Sequence, residues 1–296
     1  MLTTRWVDKT ENNFEEIISR ILNFQENKES SFGDKNFKFE KIFSENKFVI
    51  IGDKNIIFNK INFSYDTIIE GEQPEEDRIT LKKGFIIVYS TGSNTNYIIS
   101  KNSDAKSFLR KINECTEKNT IVENMINYEE DFFIWLINKV YSNSNILELS
   151  DKKEIEIKSI KGFRGKTSDL LTQIKADGET VINVISTLAF LLESKNINQI
   201  TIEIGYRPHE NIELKINKKG TIDIDVKYYL GELIDETDEE LKFVKLVLLV
   251  YLDLLPKIYQ YYKGEKSNAE WSTEKYKTFI EEIKNDILLR IEAKIK

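Results

Sequence analysis

Helical spacing appears first near the start of the chain. Phe14, Ile17, Ile18, Ile21 and Leu22 stand at i, i+3, i+4, i+7 and i+8 and share one face. Asn12 or Asn13 precedes them in capping position, and Glu15 and Glu16 suit the positive end of the helix dipole. The period then falls to two. Phe37 and Phe39 alternate with lysines, residues 48–51 and 56–58 are short apolar runs separated by Gly52-Asp53, and Ile61, Phe63 and Tyr65 alternate with polar partners. This pattern predicts strands with one buried face. After an acidic loop at 71–78, two further runs, 85–89 and 97–100, flank Thr91-Gly92-Ser93-Asn94, a hairpin signal. Ser103-Asp104 opens a short helix carrying Ala105, Phe108, Leu109 and Ile112.

A polar stretch at 114–119 reads as a linker. Beyond it, 128–141 predicts a helix with Phe132, Phe133, Trp135, Leu136 and Val140 on nearly every side, a helix buried between layers. Ile155 and Ile157 alternate with charges in a strand. Residues 162–168 read as a loop and 170–176 as a further strand. A helix is expected over 180–193, striped by Val181, Val184, Ile185, Leu188 and Leu192. Strands at 200–204, 212–216 and 222–226 follow, the last two joined by a Lys218-Lys219-Gly220 turn. Thr237 and Glu240 have capping-box spacing before a helix at 241–262, which Pro256 should kink or split near Leu255. A last helix begins at Ser272 or Thr273, with Tyr276, Phe279, Ile280, Ile283, Ile287, Ile291 and Ile295 in a stripe. The expected fold class is α+β. An N-terminal antiparallel β meander with flanking helices occupies 1–118, and a mixed α/β sheet domain with a helical C-terminus occupies 119–296.

Composition narrows the functional classes. The formal net charge of −7 opposes phosphate backbones and anionic membranes unless a local basic patch intervenes. The most apolar stretch runs only from 243 to 255 and holds Lys245 and Asp253, short of the roughly 20 apolar residues of a membrane span. With no apolar leader in the first residues, the expected location is cytoplasmic. Cys115 and His209 are each the only residue of their type, which excludes an intrachain disulfide and a structural zinc site of the usual Cys/His kind. The abundance of Lys, Ile and Asn fits an AT-rich bacterial genome.

Four groups of residues bear on chemistry. Gly162-Phe163-Arg164-Gly165-Lys166-Thr167 looks like a phosphate loop, but two residues separate its glycines where a P-loop has four. It is better read as a solvated basic surface loop; the alternative is a patch in which Lys158, Lys161, Arg164 and Lys166 grip a nucleic-acid or phosphate backbone and Phe163 stacks on a base. Glu203, Glu213, Lys215, Asp225 and Lys227 have the acid and acid-x-Lys spacing of metal-dependent nucleases, which would use Mg²⁺ or Mn²⁺. Alternating charge on a solvated sheet face produces the same pattern. His209 lies in a turn without a nucleophile motif, and Cys115 reads as a small packed side chain. Tyr259, Tyr261 and Tyr262, near Trp271, read as packing between the last helices. Tyr276, Ile280, Ile283, Ile287 and Ile291 form a stripe suited to packing on the same chain, to a second copy or to a partner's groove.

No family resemblance carries over. The leading expectation is a non-catalytic binding or assembly subunit of a cytoplasmic bacterial complex, needing no cofactor and meeting another protein chain or itself through the C-terminal helices. The alternative is a nucleic-acid-binding protein or metal-dependent nuclease of an anti-phage defence or mobile-element system.

Overall fold

The computed structural model describes residues 2–10, 12–25, 33–92, 94–117, 119–149, 153–166, 173–177, 188–189, 191–192 and 196–295. The fold is α+β, in two compact units, Met1–Met125 and Ile126–Lys296. No helix among the described residues is long and apolar enough to cross a membrane.

In the first unit, β1 (Thr4–Asp8) precedes α1 (Phe14–Leu22). The helix starts in a capping box: Asn13 Oδ1 accepts from the Glu16 amide at 3.0 Å, and Glu16 Oε2 accepts from the Asn13 amide at 2.9 Å. Then come β2 (Gly33–Lys41), β3 (Lys47–Ile51), β4 (Lys54–Ile68), β5 (Ile79–Ser90), β6 (Thr95–Ile99), α2 (Ala105–Ile112) and β7 (Ile121–Glu123). The sheet order is β2-β4-β5-β6-β1-β7, with β3 also on β4, and every pairing is antiparallel. The runs at 56–58 and 61–65, separate in the sequence pattern, belong to one long strand. It pairs with β5 from Ile57↔Ser90 to Ile68↔Ile79. Ile17, Ile18 and Ile21 of α1 and Phe108, Leu109 and Ile112 of α2 pack in one core with Trp6, Ile61, Phe63, Ile86, Val88 and Tyr97. Gly84 is required within β5, because a Cβ there would stand 2.4 Å from Cζ of Phe63 on the paired strand.

The second unit carries α3 (Phe132–Tyr141), β8 (Ile146–Glu148), β9 (Glu154–Lys166), β10 (Gln173–Asp177), β11 (Asn196–Tyr206), β12 (His209–Asn217) and β13 (Ile222–Gly231). The sheet order is β10-β9-β11-β12-β13, with β8 on β9. Every described pairing is antiparallel where the sequence pattern predicted a mixed sheet. The reason is connectivity: β11, β12 and β13 follow one another through tight turns, and a tight turn reverses the chain. One face buries Ile155, Ile157, Ile160, Phe163, Ile200, Ile202, Ile204, Ile212, Leu214, Ile216 and Ile222, and α3 packs near β9 and β11. The helix expected over 180–193 lies largely outside the described residues.

Three segments close the unit: α4 (Glu239–Leu249), a π-helical turn at Val250–Leu254 and α5 (Leu255–Ser267). The expected break at Pro256 takes this form because proline supplies no N–H for the carbonyl four residues back. The N-cap of α4 is Asp238, not Thr237. Its carboxylate accepts from the amides of Glu240 (3.0 Å) and Leu241 (3.1 Å). The last helix, α6, spans Thr273–Ile295. Asp131, just before α3, ties these helices down by accepting from Tyr262 Oη (2.5 Å), Lys266 Nζ (3.1 Å) and Trp271 Nε1 (3.0 Å). Tyr262 and Trp271 are buried, Tyr262 against Phe132 and Trp135.

Candidate functional site

The sheet face opposite the isoleucines in the second unit gathers most of the sequence-selected acids. Antiparallel register places Ser159, Glu203, Glu213 and Asp225 directly across successive strands. Thr201, Lys215 and Asp223 form the neighbouring row. Alternation alone produces this placement: once Ile202, Leu214 and Ile224 turn inward, the residues beside them must turn outward. Glu203 accepts from Ser159 Oγ at 2.9 Å and pairs with Lys161 Nζ at 3.2 Å. Burial pushes its carboxyl up, but the hydrogen bonds from Ser159 and Lys161 and the lysine's charge outweigh that and hold it below the usual glutamate range. Glu213 goes the other way. Burial raises it, and the charges of Asp225 and Glu203 add to the rise against Lys161 and Lys215.

Two neighbouring carboxyls on one face therefore differ in proton affinity. Asp225 Oδ1 accepts from the Lys227 amide at 3.0 Å, and the Lys227 side chain is exposed. Among the described residues, no three His, Cys, Asp or Glu side chains are grouped so as to hold a metal ion.

The basic group behaves differently from its sequence reading. Residues 162–166 are not a loop. They belong to β9, paired on one side with β10 and on the other with β11. Backbone amides engaged in two ladders do not form the nest of free N–H groups that cradles a phosphate. Phe163 stands opposite Ile200 on the inner face and is 2% exposed, so its ring is not offered to a base. Lys161 is engaged by Glu203. Lys158 and Arg164 point outward and are exposed, while Lys166 ends the strand. Thr167 and Ser168 lie outside the described residues.

The sequence pattern missed a second constellation, built where β11 turns into β12 beside the π-helical turn. Tyr206 Oη donates to Asp253 Oδ2 at 2.6 Å. Lys257 Nζ reaches Tyr206 Oη at 2.7 Å and Asp253 Oδ1 at 3.0 Å. Burial and the neighbouring carboxylate push the Tyr206 phenol up to about 12. Burial lowers Lys257, but its bonds to Tyr206 and Asp253 outweigh that and raise it. His209, buried nearby, shares a 2.7 Å hydrogen bond between its Nδ1 and Tyr229 Oη, and Tyr229 Oη also accepts from the Leu233 amide at 3.0 Å. Burial lowers the imidazole, with Glu232 and Asp253 opposing and Lys153 assisting. Gly231 (φ +142°) admits this packing, since a Cβ there would lie 2.7 Å from the His209 Cα. The available signals were the lone histidine after Arg207-Pro208 and the acid three residues before Pro256. Neither shows that Tyr206 and Asp253 meet.

The stripe on α6 divides. Ile283 is fully buried and Phe279 nearly so, with Phe279 edge-on to Tyr141 at 5.6 Å, so Ile283 belongs to the unit's own core and is not a partner contact. Tyr276, Ile280 and Ile287 are half-buried. Tyr141 Oη reaches Asp286 at 3.2 Å, and Asp286 pairs with Arg290 at 2.8 Å. Beyond that anchor the packing stops: Leu288, Leu289, Ile291 and Ile295 are between 42% and 80% exposed. Leu288 and Leu289 fall outside the heptad-like stripe and were not singled out by spacing. Comparison of the chain with known protein families and with characterised proteins gives no match.

Proposed function

We propose that this chain is a binding subunit that assembles with a second copy of itself through the last two turns of α6. The observation that carries this reading is the end of the helix. A regular α-helix, seated by Phe279 and Ile283, presents Leu288, Leu289, Ile291 and Ile295 to solvent. Clustered exposed apolar side chains on a regular element mark interaction surfaces.

Charge supports a second copy as the occupant. Within α6, Glu274, Glu281, Glu282, Asp286 and Glu292 are balanced by Lys275, Lys277, Lys284, Arg290 and Lys294, whereas the chain as a whole carries −7. Two such helices meet without the repulsion that other faces of two acidic molecules would experience, and a closed symmetric pair buries the same patch on both copies.

The test is light scattering on the full chain after gel filtration, compared with Leu289→Glu/Ile295→Glu. The expected result is a dimer that becomes a monomer in the double variant with an unchanged melting temperature. A monomer for the unaltered chain up to about 100 μM would overturn the reading. Truncation from residue 272 is a poorer test, because it also removes the buried Phe279 and Ile283.

A further inference from the structure

The first unit contains a cavity of about 520 Å³ where three segments converge: the approach to α1, the β3–β4 pair and the β5–β6 hairpin. That volume lies within the roughly 300–1,000 Å³ usual for small-molecule sites. None of its described lining residues is charged. Its apolar side chains are Phe14, Phe48 and Ile57, and most of the rest are asparagine, serine and threonine.

Phe48 stands well exposed at this cavity although it is a large ring on a strand. Asn55, Thr91 and Asn94 line the same space, and their side chains make no hydrogen bond to another described residue. Carboxamides carry both donors and acceptors, as do hydroxyls, so they match partners that are themselves both donor and acceptor. An exposed aromatic ring beside them offers a flat apolar surface for C–H groups.

The same lining disfavours anions. A phosphate or carboxylate entering here would lose water without gaining a cationic partner. The nearby start of α1 does not serve instead, because its Glu16 amide is taken by Asn13 Oδ1 and its first turn carries Glu15 and Glu16.

We propose that this cavity binds a neutral, polyhydroxylated small molecule of the sugar class, with Phe48 beneath one face of the ring and Asn55, Thr91 and Asn94 holding its hydroxyls. The assignment is independent of self-assembly through α6, since no residue is shared.

The experiment is a titration of the ¹⁵N-labelled full chain, followed by amide shifts, with glucose, galactose, N-acetylglucosamine, maltose and cellobiose, and with glucose 6-phosphate and glucuronate as charged counterparts. At least one neutral sugar is expected to shift the amides of Asn55, Gly92 and Asn94 with millimolar affinity. Its charged counterpart should bind about tenfold more weakly. Phe48→Ala and Asn94→Ala should each weaken binding by about tenfold, and because both side chains are exposed, the shifts elsewhere should stay put. The proposal is overturned if no neutral sugar moves these amides at about 50 mM, if the charged sugars bind equally well, or if both variants bind as the parent does.

Discussion

The second unit holds two groups of acid, lysine and hydroxyl side chains, and they differ in how far their bonds close on themselves. At Tyr206, Asp253 and Lys257 each member touches the other two, and the phenol is buried. In the row Ser159, Glu203, Glu213 and Asp225, Glu203 holds Ser159 and Lys161 and Asp225 holds the Lys227 amide, while Glu213 between them faces mainly like charge. Similar residue types thus make a lock in one place and an electrostatically uneven surface in the other. A polar cluster acts as structure to the degree that every lone pair and proton has a partner, and it stays available for other work where that accounting is left open.

The largest effect should come from opening the lock. Asp253→Ala leaves a half-buried ammonium and a buried phenol without their common acceptor, and should destabilise the chain by about 3 kcal/mol in urea unfolding. A loss below about 0.5 kcal/mol would place this triad with the open row instead.

Smaller effects should separate the two glutamates. Glu203 titrates below its unfolded value, so its contribution is present above about pH 4.5 and disappears as pH falls through the lowered folded value. Glu203→Gln should therefore cost about 1 kcal/mol at pH 7, and the cost should shrink as pH falls below about 4.5 and through the lowered folded value. Glu213 titrates above its unfolded value. Its ionised form burdens the fold once pH exceeds that raised value, and the burden is absent below about pH 4.5. Glu213→Gln should accordingly stabilise the chain by about 0.5 kcal/mol at pH 7 and leave it unchanged at pH 4. Parallel pH–stability curves for the two variants would erase the asymmetry between them.

Much of the architecture was legible from periodicity. The stripe of α1 and its Asn13 cap, the alternation of Ile61, Phe63 and Tyr65, and the break before Pro256 are local facts that side-chain spacing states directly. What escaped depends on partners. The glycines at 162 and 165 made β9 look like a loop, because glycine punctuates turns more often than strands. Its strand state follows from β10 and β11 on either side, and with it the inward turn of Phe163. Strand direction in the second sheet follows from connectivity and cannot be read from composition. Of the site residues, the common face of Glu203, Glu213 and Asp225 followed from parity, once the three strands were known. The meeting of Tyr206 with Asp253 joins positions 47 residues apart and leaves no periodic trace. The outward end of α6 was hidden for the opposite reason: an apolar stripe looks the same whether or not anything lies against it.

The π-helical turn at Val250–Leu254 fixes more than the place where α4 gives way to α5. A wider turn takes in one surplus residue, and each residue of a regular helix advances the azimuth by about 100°. All that follows along the axis is rotated by that amount from the bearing that α4 alone would have set. Lys257 and Tyr262 inherit their headings from this offset. Deleting that surplus residue would let a regular helix run through with the side chains of α5 on their present headings, whereas a regular helix through all the residues now present would aim every one of them at a different neighbour.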